Sequence, residues 1–288
     1  MSRPNVLPDL AAPTVHRLHP HLLQREVRVV VVGCGGTGSE IASGLPFLHQ
    51  AMLAHGHPGG LDVVLVDGDV VSPTNTVRQA FGASDIGHPK AIILASRINA
   101  FYGLQWRAVP QHLNPGRRLD ADIVIGCVDT RRARATIRDN FARGPLHMNP
   151  YWLDLGNSAA SGQFILGQPV LGIADMSPDR LPTVAELYPE TVDVARDRGD
   201  DAPSCSAAEA LARQEPFVNR AIAAQALAML ARLFRYGELA YHGGYVNLVT
   251  GRTSCLPVSI DAWNRVRGIV PHRRRPLVGI TPNRRRAA

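Results

Sequence analysis

The chain has 288 residues, 45% hydrophobic and 19% charged, which excludes a disordered protein and suits one large α/β domain or at most two ordinary ones. A chain this long buries about 70–75% of its unfolded surface, so its four unevenly spaced cysteines are not needed as a disulfide scaffold. The formal charge of +7 is mostly a tail: from Arg265 onward there are eight arginines and no acid, and the rest of the chain is near −1.

Such a tail suits nucleic acid or an acidic partner, or is simply solvated; composition leaves the two readings open. Met1–His21 lacks an apolar leader region, and the β-branched run Val27–Val32 is far shorter than the ~20 residues of a membrane span. The expectation is a cytoplasmic protein with no membrane contact. Positive charge is carried by thirty arginines and a single lysine, Lys90. That exception marks a position where a guanidinium does not serve.

In chain order, residues 1–24 read as an N-terminal arm, extended or partly helical. Val27–Val32 predicts a strand ending in the turn Gly33-Cys34-Gly35-Gly36-Thr37-Gly38, with a helix from about Ser39 to His55 in which Pro46 can introduce a kink. Leu61–Val66 is the second strand, so the order is that of a βαβ unit and a parallel sheet. A helix follows from Pro89 to about Phe101, then strands at Gln105–Pro110 and Asp122–Val128. Arg132–Arg143 reads as helical, and Tyr151–Leu155 and Gly162–Gly167 as strands. Residues 174–206 form an acidic crossover excursion, within which Leu187 and Tyr188 suit a short packed helix. Ser206-Ala207-Ala208-Glu209 is a capping-box pattern. A helix opens at Pro216 and runs to Phe234, and Tyr245–Val249 with Leu256–Ile260 flank a hairpin turn at Thr250-Gly251-Arg252. The expected architecture is one elaborated α/β domain over residues 25–264, followed by a basic tail at 265–288.

Gly33-x-Gly35-Gly36-x-Gly38 after a strand is a turn that cradles phosphates, because glycines let the backbone approach and the helix N-terminus supplies positive potential. Asp67, ending the second strand, suits a carboxylate that accepts ribose hydroxyls. Neither tells ATP from a nicotinamide cofactor. The next stretch does: Asp69, Asn75, Arg78, Gln79 and Lys90 crowd behind the second strand. A hydride-transfer pocket has no need of them, whereas a triphosphate needs a guanidinium fork and a mobile ammonium. Asp129 ends a buried strand at the crevice where ligands bind in open α/β sheets. It can hold Mg²⁺ against phosphates, cap the following helix, or do both.

These residues together resemble the ThiF/MoeB/HesA superfamily, the adenylating enzymes that activate ubiquitin-like proteins and bacterial sulfur carriers; the likeness is greatest to the ThiF-related protein of the plasmid-associated PRTRC cassette. The pattern is the glycine turn Gly33–Gly38, the D-x-D at Asp67 and Asp69, Asn75 with Arg78-Gln79, the run Asp85–Lys90, and Asp129 with Arg134 five residues on. It covers roughly residues 25–170 and continues loosely through Cys205 and the helix after Pro216. The resemblance implies a Rossmann-like fold whose sheet starts parallel and becomes mixed, flanked by helices. It implies that Gly35 and Gly36 approach ATP, that Asp67 binds its ribose, that Asn75, Arg78 and Lys90 hold its phosphates, and that Asp129 organises Mg²⁺. It further implies a homodimer that adenylates the C-terminal glycine carboxylate of a small β-grasp partner, releasing pyrophosphate. Some members complete the site with an arginine from the other subunit's N-terminal arm, a role open here to Arg17 or Arg25.

The departures from the family pattern narrow the reading. Val77 stands where a second asparagine is common, and Leu45–Gly60 is longer than usual. No C-x-x-C pair exists among Cys34, Cys127, Cys205 and Cys255, so no tetrathiolate zinc is expected. Cys205 precedes the capped helix and is either a relay thiol for the activated partner or a partly buried cysteine; Cys34 and Cys127 read as structural. Alternatives are adenylation of a peptide or of a tRNA-linked carboxylate, which the basic tail would suit, and a scaffold that binds nucleotide without chemistry in a plasmid-associated complex.

Overall fold

The computed structural model describes residues 15–141, 150–170, 180–197 and 214–269. Strand β1 (His16–Arg17) is followed by β2 (Val27–Val32), helix α1 (Gly36–Ala54), β3 (Leu61–Val66), α2 (Lys90–Tyr102), β4 (Arg107–Val109) and β5 (Ile123–Gly126). Next come α3 (Arg131–Phe141), the hairpin of β6 (Tyr151–Asn157) and β7 (Ser161–Gly167), and the one-turn helix α4 (Val184–Leu187). The long helix α5 (Val218–Tyr236), strands β8 (Glu238–Leu239), β9 (Tyr241–Asn247) and β10 (Arg252–Pro257), and α6 (Ile260–Val266) complete the described fold.

Eight strands form one sheet in the order β10-β9-β7-β6-β5-β2-β3-β4. From β4 to β6 all pairings are parallel; from β6 to β10 all are antiparallel. The sheet is therefore parallel at its start and mixed overall. The chain leaves β2 toward β3 and β4, then returns to β5 on the other side. That reversal between β2 and β5 opens a crevice at the strands' C-terminal ends, where open α/β sheets place ligands.

The branched runs became the central strands because they are covered on both faces. Val27, Val29 and Val31 of β2, Val63 and Leu65 of β3, and all of Ile123–Ile125 in β5 are buried. Helices α1 and α5 pack against each other, burying Ile41 and Leu45 on one and Ala226 and Leu230 on the other. At the described end of the N-terminal arm, β1 pairs with β8, and Leu18 and Leu22 are buried in the core. The segment from 15 to 24 is thus packed on the domain.

The elements depart from the sequence reading mainly at their ends. Helix α1 starts at Gly36, not Ser39, and runs unbroken past Pro46. The last hairpin starts at Tyr241, ahead of the expected Tyr245, because Gly243 and Gly244 are strand residues. A Cβ at Gly243 would lie 2.6 Å from the Phe164 carbonyl oxygen, and one at Gly244 2.8 Å from the Phe164 ring. These glycines make room for a neighbour and do not mark a turn. Cys205, the Ser206–Glu209 capping pattern and the tail from residue 270 lie outside the described residues.

Candidate active site

The glycine turn leaves β2 and enters α1 without delay. Gly33 has φ +91°, and a Cβ there would come within 2.6 Å of the Cys127 carbonyl oxygen, so both its conformation and its space exclude other residues. Gly38 packs against Gly33, where an added Cβ would overlap the carbonyl. At Gly35 an added Cβ would meet none of the described residues within 4 Å. Gly35 is also the N-cap of α1, and among the described residues no side chain bonds the free N–H groups of the first turn. Those groups have no carbonyl partner within the helix. The result is open space in front of uncapped N–H donors, which is the physical description of an anion site.

Asp67 sits at the rim of that turn. Its carboxylate accepts the Cys34 N–H at 2.5 Å and the Asp69 N–H at 2.7 Å. Burial raises its pKa, and the two N–H donors and nearby Lys90 work against the rise. The carboxylate is thus fixed in orientation, ready to accept further hydroxyls. Lys90 is bound to the same loop twice: its backbone N–H donates to the Asp69 carbonyl at 3.0 Å, and its Nζ lies 3.0 Å from Asp69 Oδ2. It is 7% exposed at the first position of α2, and the Val70–Pro89 bridge holds the two loops together.

Asn75 is buried and shapes the backbone: its Oδ1 accepts the Ser72 N–H at 2.9 Å, and its carbonyl accepts the Gln79 N–H at 3.0 Å. Residues 78–80 are carried against the start of α1, where the Ala80 N–H donates to Ser39 Oγ at 3.2 Å. Arg78 Nε and Gln79 Oε1 are buried there with no hydrogen-bond partner among the described residues. Buried polar groups left unpaired are rare and costly, and both lie in the stretch expected to meet phosphates. Asp85, by contrast, serves the fold, accepting the Gly82 N–H at 2.7 Å and Arg97 Nη2 at 2.6 Å.

Asp129 follows β5, whose exit runs beside the glycine turn: the Cys127 N–H donates to the Val32 carbonyl at 2.8 Å. The residue is exposed and does not cap α3. Thr130 Oγ1 takes the Ala133 N–H at 3.2 Å, and Asp197 accepts the N–H groups of Arg131 and Arg132 at 2.9 and 2.8 Å. Asp129 is therefore free to bind a cation. Among the described residues no group of three or more His, Cys, Asp and Glu could hold a metal alone. Mg²⁺ in phosphate sites needs only one or two carboxylates, the rest coming from phosphates and water, so the residues fit that ion. Arg134 is spent on the fold, with Nε 3.1 Å from buried Asp154. Burial pushes the Cys34 thiol well up and raises Cys127, so neither is a ready thiolate.

Arg25 donates to both oxygens of Asp122, at 2.8 and 2.5 Å. These two residues precede β2 and β5, at the strand ends opposite the glycine turn. Arg17 lies in β1 and is exposed.

Part of the site escaped sequence reasoning. Thr37 Oγ1 donates to Asn219 Oδ1 at 2.9 Å, Asn219 Nδ2 donates to Gln214 Oε1 at 3.1 Å, and the same oxygen accepts Arg78 Nη1 at 2.9 Å. Asn157 Nδ2 bonds both Thr37 and Asn219. These polar residues come from distant stretches, and no local pattern in the sequence marks them.

No curated protein matches the chain. Among solved structures it is similar to PaaA, with a TM-score of 0.53 and 14% identity over 82% of this chain and 65% of that one. It is similar to E. coli MccB with ATP, with a TM-score of 0.53 and 17% identity over 82% and 65%. E. coli MccB with AMPCPP and MccA gives a TM-score of 0.52 and 17% identity over 81% and 64%. The chain thus spans about 65% of the length of these structures. At such identities the likeness shows the fold, a Rossmann-like mixed α/β sheet. The family model described as the ThiF family matches residues 21–258, from six residues before β2 through the last hairpin, and the chain belongs to that family.

Proposed function

We propose that this protein is an ATP-dependent adenylyltransferase that activates a carboxyl group of a polypeptide acceptor. The observation that carries the reading is the buried donor Arg78 Nε, unpartnered among the described residues, together with the uncapped first turn of α1. A guanidinium donor and a set of free N–H groups call for phosphate oxygens. Asp67 supplies the ribose acceptor, Lys90 a point charge for the phosphates, and Asp129 a ligand for Mg²⁺, which would neutralise charge on the triphosphate.

An acceptor carboxylate oxygen attacks the α-phosphorus, the bond from that phosphorus to the bridging oxygen breaks, and pyrophosphate leaves with the electron pair. A carboxylate is already a nucleophile, so the protein needs no base. Its contribution is alignment and charge neutralisation. The similarity to MccB structures that contain ATP or MccA supports a peptide acceptor ahead of the β-grasp, glycine-terminated protein that the sequence resemblance implies. The kinship with the PRTRC cassette, a homodimer, a relay by Cys205 and contact of the basic tail with RNA belong to the same proposal as its finer parts.

ATP–pyrophosphate exchange with Mg²⁺ tests it, with a synthetic peptide bearing a free C-terminus in one arm and a small Gly-terminated protein encoded near this gene in the other. Exchange that needs an acceptor and is lost in Lys90→Ala supports adenylation, and the arm that responds names the acceptor class. Tight ATP binding with no exchange in either arm overturns the reading in favour of a nucleotide-binding scaffold.

A further inference from the structure

Asn219 is 1% exposed and lies one residue into α5, far in sequence from the glycine turn and from Arg78. Its side-chain amide touches the turn directly and reaches Arg78 through Gln214. Oδ1 accepts Thr37 Oγ1 and Asn157 Nδ2, and Nδ2 donates to Gln214 Oε1. An oxygen with two donors and a nitrogen facing an acceptor fix which way the amide lies. Gly36 is the reverse side of the same contact, since an added Cβ there would collide with the Asn219 amide. Gln214, 8% exposed, passes the link on: its Oε1 also accepts Arg78 Nη1 at 2.9 Å, and its Nε2 faces the Ser158 carbonyl at 3.5 Å.

We infer that Asn219 and Gln214 are positioning residues for Arg78, locking its guanidinium against the start of α1 so that its remaining donors face the phosphates of a bound nucleotide. The inference rests on the reading of this site as one for ATP. A free arginine loses about as much in ordering a long side chain as it gains from one phosphate contact; an arginine held beforehand does not incur that cost on binding. Gln214 spends its carbonyl oxygen on one nitrogen of Arg78, and Nε stays unpartnered among the described residues. Because Gln214 makes its effect through Arg78, removing both side chains should cost no more than removing Arg78 alone.

Isothermal titration calorimetry with MgATP and with adenosine tests this on the full chain. Gln214→Met keeps the length of the side chain and deletes the amide. It is expected to weaken MgATP binding about tenfold and to leave adenosine binding unchanged, and Arg78→Ala/Gln214→Met should match Arg78→Ala. Asn219→Asp replaces the donor to Gln214 by a second acceptor and should shift MgATP binding in the same direction; if that protein does not fold, Gln214→Met carries the test. Additive losses in the double variant, or an equal loss for adenosine, overturn the positioning role while the ATP site stands. A wild-type protein that binds no MgATP overturns the reading of the site and this inference with it.

Discussion

Arg134 places Nε 3.1 Å from Oδ1 of Asp154, a carboxylate with no exposed surface. Burial raises the Asp154 carboxyl and Arg134 pulls it back down, and the arginine also donates to the Leu155 carbonyl at 3.3 Å. The pair therefore joins α3 to β6 under the crevice. Arg134→Met should destabilise the fold by about 3–5 kcal/mol, since it strands a buried charge, and Arg134→Met/Asp154→Leu should recover most of that. Urea titration is the check, and an unchanged midpoint in the single variant would remove the pair from the account of stability.

The turn makes opposite demands on two of its glycines. Gly38→Ala should abolish soluble folded protein, because the new Cβ would overlap the Gly33 carbonyl. Gly35→Ala has open space, but the residue sits at φ −74° and ψ −144°, outside the regions that side chains favour, so the protein should still fold with stability lowered by about 1–3 kcal/mol. The methyl would stand in front of the N–H groups, and ATP affinity should drop at least tenfold. Thermal melts paired with nucleotide titration separate the two effects, and full ATP binding by Gly35→Ala would place the phosphates elsewhere.

Lys90 is the residue for which the charge alone is not enough. In Lys90→Arg a wider guanidinium would have to fit a site that is 7% exposed and already shared with Asp69. Pyrophosphate exchange should fall by about as much as in Lys90→Ala, because an arginine does not replace a compact ammonium at a buried position. Asp129→Asn should instead raise the Mg²⁺ needed for half-maximal exchange and leave thermal stability unchanged, as the residue is exposed. Exchange by Lys90→Arg at the wild-type rate would show that any cation suffices there.

His242 gives the fold an acid limit. Its ring is fully buried, donating to the Leu166 carbonyl at 2.6 Å through Nδ1 and accepting Trp263 Nε1 at 2.8 Å through Nε2. Burial pulls its pKa from 6.5 to about 4, the Leu166 carbonyl opposes that shift, and His16 adds to it. A histidine depressed in the folded state binds fewer protons there than when unfolded. Its stabilising contribution is whole above pH 6.5 and is lost as the pH falls through about 4. The loss across that window should be about 3 kcal/mol. Denaturant melts across the same range should show it, with a shallower slope in His242→Leu despite lower stability at neutral pH.

How much of this was legible beforehand depends on distance along the chain. The valine run, the glycine turn and the second branched strand stand together, and periodicity with glycine placement was enough to give β2, α1 and β3. Asp67 and Lys90 were legible because one ends a strand and the other is the single lysine in a chain of arginines. Asn219, Gln214 and Asn157 were not, since a lone amide reads the same on any helix or loop until packing shows what it faces. Asp197 was hidden differently: it is one of eight acids between residues 174 and 201, and nothing local marks the one that reaches the amides of α3. Gly243 and Gly244 carry no strand signal in sequence, since a missing side chain adds nothing to a β pattern, and only the position of Phe164 shows why the strand needs them.

The pairing of His16 with Leu239 also bears on the order in which a ribosome delivers this chain. The first described residues cannot find their strand partner until β8 has been made, and Leu18, which donates its N–H to the Gly237 carbonyl at 2.9 Å, waits with them. Through most of synthesis the segment before β2 stays without its final contacts, beside strands rich in valine. Pairings so distant in sequence slow folding and lengthen the time during which apolar strands are open to wrong partners. The expected signature is a nascent protein that needs chaperone protection until α5 and β8 emerge, when the two-stranded β1–β8 ribbon can close, while β9 and β10 still have to join the sheet.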